Sequence, residues 1–467
     1  MHPITDPALI AGYLKDASNV QGHADALLRP STDAEVAAIV RHCQAQGIPL
    51  TVTAARTSTT AAPVPFGGWV MSLERLNRVH AIGEGGACAD AGVLLGELQA
   101  QIEATGAFFP PDPTSRHDCT LGGAIACNAS GARSFRYGPT RPWIDAVDVV
   151  LPTGEQRHVT RQDPLPPGWP AVAWTEPAVK TAAGYSPTPN LLDLLIGSEG
   201  TLGVITRAWV RTIPLPADVF ALMVWFPNRT AAVDFVQRAR ARARAQDPLV
   251  APRCLEYFDH HCLALAAARL GEVPPDARAA VFCEQEVGPE GEDAHLTAWW
   301  ELLEDTDALA DDTLVANDPP SQQRLLALRH AVPAGVNETV ARNGMPKVGT
   351  DLAVPDDALI ELMDAYEAST LDHVLFGHIG DNHLHLNLLP KTTEELEQAR
   401  AWYAHLARLA IARGGTVSAE HGIGKLKRGY LRSMLGDDVL ERFAALKRAA
   451  DPSWILGRGT LLDAPEG

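Results

Sequence analysis

The sequence is poor in basic residues and contains no long apolar run. Its 467 residues include 39 lysines and arginines against 57 aspartates and glutamates, giving a formal net charge of −18. A chain with that charge repels the phosphates of nucleic acids, so we expect no nucleic-acid partner. No stretch approaches the roughly 18 uncharged apolar residues of a membrane-spanning helix, and the first residues lack the order of a signal peptide. The sequence therefore predicts a cytoplasmic protein with no membrane span.

Several common chemical motifs are also missing. The seven cysteines form no CxxC pair, which counts against a disulfide framework and against a cysteine-ligated zinc or iron–sulfur site. We find no G-x-G-x-x-G after a strand, no P-loop, no H-E-x-x-H and no G-x-S-x-G. These absences disfavour a nicotinamide dehydrogenase, a P-loop enzyme, a zincin and an α/β-hydrolase.

The patterns that are present indicate an α+β protein with more than one domain. Thr32 and Glu35 have the spacing of a capping box and predict a helix over about 32–46 that ends at Gly47. Further helices are predicted over 230–246 and 392–412, and short β-rich runs lie between such helical segments. After Pro216 the sequence changes to long helical patterns rich in Ala, Arg and Leu, with short strands between them. The first domain is therefore expected to cover about 1–215.

Three segments of the first domain are rich in small residues: 110–115, 121–132 and 197–203. Taken alone, each segment fits an ordinary tight turn. Consecutive backbone amides can instead form an anion nest suited to a pyrophosphate, with hydrogen bonds added by Thr114, Ser115, Asn128 and Ser130. Three such segments in one domain favour a large flat cofactor.

Histidines cluster in the second half of the chain. Strict alternation over 383–388 places His383, His385 and Asn387 on one face of a strand. A single histidine is more often a core or surface residue, but His378 and the Glu420-His421 pair strengthen the pattern. Two imidazoles and a carboxylate leave open positions on a divalent ion, as in hydrolytic zinc or non-haem iron sites.

The segments FFPPDPTS, LGGAIACNASGARSFRYG, LIGSEGTLGVIT, GHIGDNHLHLN and SAEHGIG together resemble the FAD-linked oxidases of the vanillyl-alcohol-oxidase type, which have a PCMH-type FAD domain. Within that superfamily the chain is similar to the D-2-hydroxyacid dehydrogenase branch. The resemblance implies a two-subdomain FAD-binding domain over 1–215. It also implies an α+β cap domain with an antiparallel sheet over 216–415, and a segment 416–467 that completes the active site and returns to the FAD domain.

The same resemblance implies which residues contact FAD. The loop 53–62 lacks the usual glycines, so it must follow a different path or use the charge of Arg56; it also lacks a histidine for covalent attachment, so FAD is expected to be non-covalent. The expected FAD-binding residues are Arg56, Thr57, Ser58, Pro113, Thr114, Gly122, Gly123, Asn128, Ser130, Glu199, Gly203 and Ile205.

For the substrate side, the resemblance implies metal ligation by His378, His385 and Glu420, with zinc the first choice and manganese or iron the alternatives. His421 is expected to act as general base. The other expected catalytic residues are Arg329, which would bind the substrate carboxylate, Asn387 and Lys347. His383 is open between a fourth ligand, a partner of a ligand and a pocket wall.

The resulting hypothesis is an FAD-dependent, metal-assisted oxidation of a D-2-hydroxy acid to the 2-oxo acid. Electrons would pass to a non-nicotinamide acceptor, such as a protein, a quinone or a dye. The expected partners are thus a small anionic 2-hydroxy acid and this acceptor, with a homodimer as a candidate assembly. One alternative is the flavin subunit of a glycolate-oxidase-like complex, and another is a metallohydrolase that uses the His/Glu set.

Overall fold

The first part of the chain is built on small sheets covered by short helices. The computed structural model describes residues 2–270 and 273–464. The strands of this part are β1 (Ala26–Leu28), β2 (Leu50–Thr53), β3 (Trp69–Ser72), β4 (Val79–Gly83), β5 (Gly86–Asp90), β6 (Ala107–Phe108), β7 (Ile144–Val150), β8 (Gln156–Thr160), β9 (Val204–Arg211) and β10 (Ile213–Pro214). The helices are α1 (Pro7–Ile10), α2 (Asp33–Gln46), α3 (Leu95–Glu103), α4 (Leu121–Cys127), α5 (Ser134–Tyr137) and α6 (Leu191–Leu195), with 3-10 helices at Ala11–Tyr13 and Arg141–Trp143.

Two sheets organise these elements into subdomains. A parallel three-stranded sheet has the order β1-β3-β2, and an antiparallel five-stranded sheet has the order β4-β5-β9-β7-β8. Helix α2 confirms the predicted helix over 32–46, since the Thr32 hydroxyl accepts from the Glu35 amide and Gly47 closes the helix at φ 65°.

The small-residue segment 121–127 is helical, which differs from the turn or nest expected from its composition. Thr120 caps the helix by accepting from the Gly123 amide at 3.2 Å, and Asn128 ends it at φ 48°. Gly122 is needed for packing, because a Cβ there would lie 2.6 Å from the Cβ of Ala91. The two glycines of this helix each lower its intrinsic helix propensity by about 1 kcal/mol relative to alanine, so the sequence pattern did not predict a helix here.

The second part is a large antiparallel sheet with helices. Its strands are β11 (Val219–Phe226), β12 (Pro252–Asp259), β13 (Ala279–Glu286), β14 (Leu314–Ala316), β15 (Val348–Gly349), β16 (Leu352–Ala353), β17 (His373–His378) and β18 (His383–Leu388). Its helices are α7 (Arg229–Arg244), α8 (His260–Leu270), α9 (Glu292–Glu304), α10 (Pro319–Asn343), α11 (Leu359–Glu367) and α12 (Thr393–Ala412), with 3-10 helices at Ala310–Asp312, Asp356–Ala358 and Ile379–Asp381.

The strand order is β14-β11-β13-β12-β17-β18-β15, with β16 also paired to β18. The predicted helices over 230–246 and 392–412 correspond to α7 and α12, and Thr392 caps α12 through the Glu395 amide. The predicted antiparallel sheet of the cap is confirmed.

The C-terminal segment returns to the first part. After α13 (Arg428–Ala450), which changes direction at Gly436, the chain runs beside β2. The Leu50 amide donates to the Ile455 carbonyl at 2.7 Å, and the Gly457 amide donates to the Leu50 carbonyl at 3.1 Å. The expected return of the tail to the first part of the chain is confirmed.

Two expectations from composition can also be compared with the fold. All seven cysteines lie in the described ranges and are free thiols, as expected. Among residues 2–270 and 273–464, no helix combines the length and apolar character required to cross a bilayer.

A buried lysine holds the tail in place and provides a test. Lys447 donates to Asp451 at 2.6 Å and to the carbonyls of Thr201 at 2.6 Å and Leu456 at 2.9 Å. We expect Lys447→Met to destabilise the protein by about 3–5 kcal/mol, because the Asp451 charge would stay buried without its partner. Chemical denaturation would measure the loss. Adding Asp451→Asn should recover part of it, and a single variant within 1 kcal/mol of wild type would contradict this role.

Candidate active site

The histidine cluster lies on the β17–β18 hairpin. His378 ends β17 and is paired in register with His383, while His385 lies two residues further along β18. Glu420 reaches the hairpin from the irregular segment between α12 and α13. Ligand atoms of His378, His383, His385 and Glu420 all lie within 4.8 Å of one another. The structure thus brings together the three residues expected to bind a metal and adds His383 to them.

The Glu420 carboxylate is at the centre of this cluster. Its Oε2 lies 3.4 Å from His378 Nε2, and its Oε1 lies 3.4 Å from His385 Nε2 and 3.5 Å from His421 Nε2. Lys180, which sequence reasoning missed, donates to Oε2 at 3.2 Å. Its side chain is only 7% exposed. Lys180 belongs to a long irregular segment, where a lone lysine gives no sequence pattern.

The Nδ1 atoms of His378 and His385 are each hydrogen-bonded to a protein acceptor. His378 Nδ1 bonds to the Glu256 carboxylate, and His385 Nδ1 lies 3.0 Å from the Thr350 carbonyl. Since these acceptors keep the proton on Nδ1, which donates to them, a neutral imidazole at either position presents its Nε2 lone pair to Glu420. His378 Nε2 has no hydrogen-bond partner among the described residues. Lone pairs facing a carboxylate require a cation between them, so the residues present fit a divalent metal.

Without a metal, protonation of the His378 imidazole supplies a positive charge to the cluster. Burial opposes the charging of His378, but the nearby Glu256 and Glu420 carboxylates outweigh it and raise the pKa of His378 to about 9. The chemistry of the cluster favours positive charge at its centre.

Glu256 also pairs with Arg329. Arg329 Nη2 lies 3.2 Å from Glu256 Oε2. Burial opposes ionisation, but His378 and Arg329 lower the pKa of Glu256 to about 2. The expected carboxylate-binding arginine is therefore engaged by a protein carboxylate. Glu256 was missed from the sequence, although a glutamate in the middle of a fully buried strand is a signal that could have identified it.

Asp351 explains how the neighbouring Glu420 and His421 serve one site. Its fully buried carboxylate accepts from both of their backbone amides at 3.1 Å and from Lys427 Nζ at 2.6 Å. Gly422, at φ 73°, then turns the chain. Burial raises the pKa of Asp351, but His421 and Lys427 prevail and hold it well below its usual range.

Two further expected residues lie side by side. Asn387 follows His385 on the same face of β18. Lys347 donates to the Asn387 side-chain oxygen at 2.8 Å. The His421 ring stacks on His385 at 5.5 Å between ring centroids and is one-third exposed, so it is accessible from outside the cluster.

The small-residue segments of the first part adjoin one another near this site. The Gly197 amide donates to the Ile125 carbonyl at 3.0 Å, which joins the turn at 197–200 to α4. A cavity of about 340 Å³ is lined by Asn128, Gly197 and Lys180. The hydroxyl of Ser130 is buried and has no partner in the part of the chain that the structure describes. A buried hydroxyl without a partner, and a cavity lined by the lysine that contacts Glu420, fit a bound cofactor.

The structure gives other contacts to several residues expected to bind FAD. The Glu199 carboxylate accepts from the amides of Ile423 and Gly424, both at 2.8 Å, and so holds the segment that follows His421. Gly203 packs on Val149, and Ile205 is buried in β9.

The remaining candidates differ in accessibility and contacts. Pro113 is buried and Thr114 is exposed. The Gly123 amide is bound to the Thr120 hydroxyl.

The loop 53–62 adopts an unusual backbone conformation for a segment without glycine. Ala61 is at φ 59° and Arg56 at φ 60°. Asp16 accepts from the Ala61 amide at 3.0 Å, and Lys425 donates to the Ala61 carbonyl at 3.2 Å, so tertiary contacts stabilise this conformation.

The side chains of this loop are also engaged. The Arg56 guanidinium lies 4.7 Å above the ring of Tyr13. The hydroxyls of Ser58 and Thr60 are 3.2 Å apart, and Thr57 is partly exposed.

Comparison of the sequence with known protein families gives matches to two regions of the chain, one in each part. Residues 24–160 match a model described as an FAD binding domain, and residues 215–461 match the C-terminal domain of FAD linked oxidases. The chain belongs to the FAD-linked oxidase family. The solved structure of an alkyldihydroxyacetonephosphate synthase is similar in fold, with a TM-score of 0.66 at 19% identity over 94% of this chain and 76% of that one.

Curated relatives are similar over nearly their whole length. A D-lactate dehydrogenase of Anaerostipes hadrus is 31% identical, covering 96% of this chain and 92% of the relative. A D-2-hydroxyglutarate dehydrogenase of Xanthomonas citri pv. viticola is 31% identical, covering 99% and 95%. The glycolate oxidase subunit GlcD of Bacillus subtilis is 28% identical, covering 96% and 91%.

The burial of the Glu199 carboxyl group predicts a pH dependence of stability. Burial raises the pKa of Glu199 from an ordinary 4.5 to about 7. Because the folded state binds this proton more tightly than the unfolded state, the stabilisation is complete below pH 4.5 and is lost as the pH rises through about 7. The change in the free energy of unfolding across this pH range is at most about 3 kcal/mol. As the pH rises from about 5 to 8, the melting temperature of wild type should fall relative to that of Glu199→Gln, which has no carboxyl group to ionise at this position. A difference in melting temperature that does not change with pH would contradict the prediction.

Proposed function

We propose that the protein is an FAD-dependent, metal-assisted dehydrogenase that converts a D-2-hydroxy acid to the 2-oxo acid. The observation that carries this proposal is the set of His378, His385 and Glu420, in which Glu420 contacts Lys180. Lys180 in turn lines a cavity together with Asn128 of the FAD-binding part. The names of the D-lactate and D-2-hydroxyglutarate dehydrogenase relatives support this class of substrate. The family matches give no support to a metallohydrolase.

We propose that His378, His385 and Glu420 hold a divalent ion, zinc first and manganese or iron as alternatives. When bound, the metal would polarise the hydroxyl group of a chelating 2-hydroxy acid, and FAD would accept the two electrons and the hydrogen from its α-carbon. Asn128 and Ser130 are the FAD contacts that the cavity and the unpaired hydroxyl support best. Residues 1–215, 216–415 and 416–467 remain the proposed functional units.

His421 is the proposed general base. Its Nδ1 lies 3.5 Å from the Asp351 carboxylate, which orients the ring, and its Nε2 points towards Glu420. A neutral imidazole at this position can accept the substrate's hydroxyl proton. Lys347 and Asn387 lie beside His385, where they can bind and orient an anionic substrate. Arg329 is proposed to act in the same pocket while it keeps its ion pair with Glu256.

We infer a non-nicotinamide electron acceptor. Similarity to the glycolate oxidase subunit GlcD favours, as a second candidate, a flavin subunit that works within a complex. A homodimer and a cytoplasmic location also remain proposals. Co-purification, size analysis of the purified protein and cell fractionation would test them.

A flavin-reduction panel tests the central proposal. Under anaerobic conditions, the visible absorbance of bound flavin should fall on addition of D-lactate, D-2-hydroxyglutarate or a related acid, and the L-enantiomers should have little effect. Prior treatment with a chelator should slow the reduction, and added zinc, manganese or iron(II) should restore it. A protein that binds FAD but responds to no acid in a broad panel would contradict the proposal.

Replacement of the proposed base gives a second test. His421→Ala should retain bound FAD and metal yet slow flavin reduction by about 10²–10⁴-fold, because the proton acceptor is lost. Rapid-mixing absorbance with a saturating substrate would measure the rate. The matched control is His405→Ala, which removes an exposed imidazole from α12. Equal rates in both variants would remove His421 from this role.

A further inference from the structure

His383 is the one member of the histidine cluster that the proposed metal set leaves without a function. Its side chain is fully buried on β18, and it shares a face with His385. The ring centroids of the two histidines are 4.4 Å apart. Its Nδ1 lies 3.9 Å from Glu420 Oε2, and the ligand atoms of all four residues fall within 4.8 Å. The position is therefore within reach of an ion held by the other three side chains.

The other ring nitrogen of His383 lies beside a carboxylate. His383 Nε2 is 3.0 Å from Asp351 Oδ1, although the contact lacks hydrogen-bond geometry. Asp351 is a buried carboxylate that also accepts from Lys427, so it can only be an acceptor at this contact. A neutral His383 with its proton on Nε2 avoids repulsion with Asp351 and leaves the lone pair on Nδ1, the nitrogen near Glu420.

That lone pair is not satisfied by the protein. Neither ring nitrogen of His383 has a hydrogen-bond partner among residues 2–270 and 273–464. A fully buried acceptor that faces a carboxylate loses its hydration and gains repulsion. A bound cation would remove both costs. His378 and His385 likewise have one nitrogen beside a protein acceptor and the other near Glu420, and in these two the first contact is a hydrogen bond.

We propose that His383 is a fourth protein ligand and binds the metal through Nδ1, with Asp351 as the carboxylate that orients the ring. This inference rests on the metal site of the proposed function. The site would then offer three imidazoles and one carboxylate. Because imidazole suits zinc, iron, nickel and copper, the added nitrogen should tighten binding of these ions and of cobalt more than binding of manganese.

Cobalt(II) chloride is the probe, since its visible absorption reports the ligands. The FAD-loaded protein is stripped of metal with a chelator and titrated with cobalt(II). His383→Asn, which replaces the imidazole by a shorter polar side chain, should weaken cobalt binding by at least about 100-fold, more than a residue that only orients a ligand would. It should also change the cobalt spectrum, while FAD content and the melting temperature of the metal-free protein stay close to wild type.

The matched control is His80→Asn. His80 also bonds through Nε2 to an aspartate, Asp90, at 2.6 Å, but it lies on β4 outside the cluster. This variant should bind cobalt as wild type does. Equal affinity and an equal spectrum in His383→Asn would overturn the inference and leave the proposed function intact. A wild-type protein that reduces its flavin with substrate but binds no cobalt would overturn the metal site itself.

A measurement on the unaltered chain covers the case in which His383→Asn does not fold. X-ray absorption of the cobalt-loaded wild type counts coordinated imidazoles by their multiple scattering. Three imidazoles support the inference, and two overturn it.

Discussion

The site depends on one buried carboxylate, that of Asp351. It accepts from the amides of Glu420 and His421 and faces the ring of His383, so a single side chain joins the C-terminal segment to the β17–β18 hairpin. A carboxylate without solvent contact is tolerated only when its charge is paired, and Lys427 provides that pairing. The position of Glu420 among the imidazoles follows from this network rather than from the local chain alone.

A second buried carboxylate extends the same construction to the FAD-binding part. Glu199 accepts from the Ile423 and Gly424 amides, while Lys425 of the same segment donates to the loop 53–62. The short stretch 420–425 is thus bonded to both parts of the chain. The cavity lined by Asn128 and the His/Glu cluster can keep a fixed separation because this stretch is held from both sides.

The sequence predicted those features that depend on local patterns. The helices α2 and α12 follow from their caps, and alternation along β18 placed His383 and His385 on one face. Glu256 and Asp351 could not be predicted in this way, because their partners are distant in sequence and a single acidic residue has no period. The positive φ of Ala61 was missed for the same reason, since Asp16 and Lys425 stabilise it through tertiary contacts.

Three histidines of the cluster are oriented by acceptors of different kinds, and this difference has a chemical consequence. His385 faces a neutral carbonyl, while His378 and His383 face the carboxylates of Glu256 and Asp351. A carboxylate partner makes an imidazole more basic and a stronger donor to a metal than a carbonyl partner does. The strongest donors thus lie on the side of Glu420 Oε2 and Lys180, and His385 and His421 lie at Oε1. A metal held by this cluster would therefore have its weaker imidazole donor, His385, beside the proposed base His421, where the substrate hydroxyl would lose its proton.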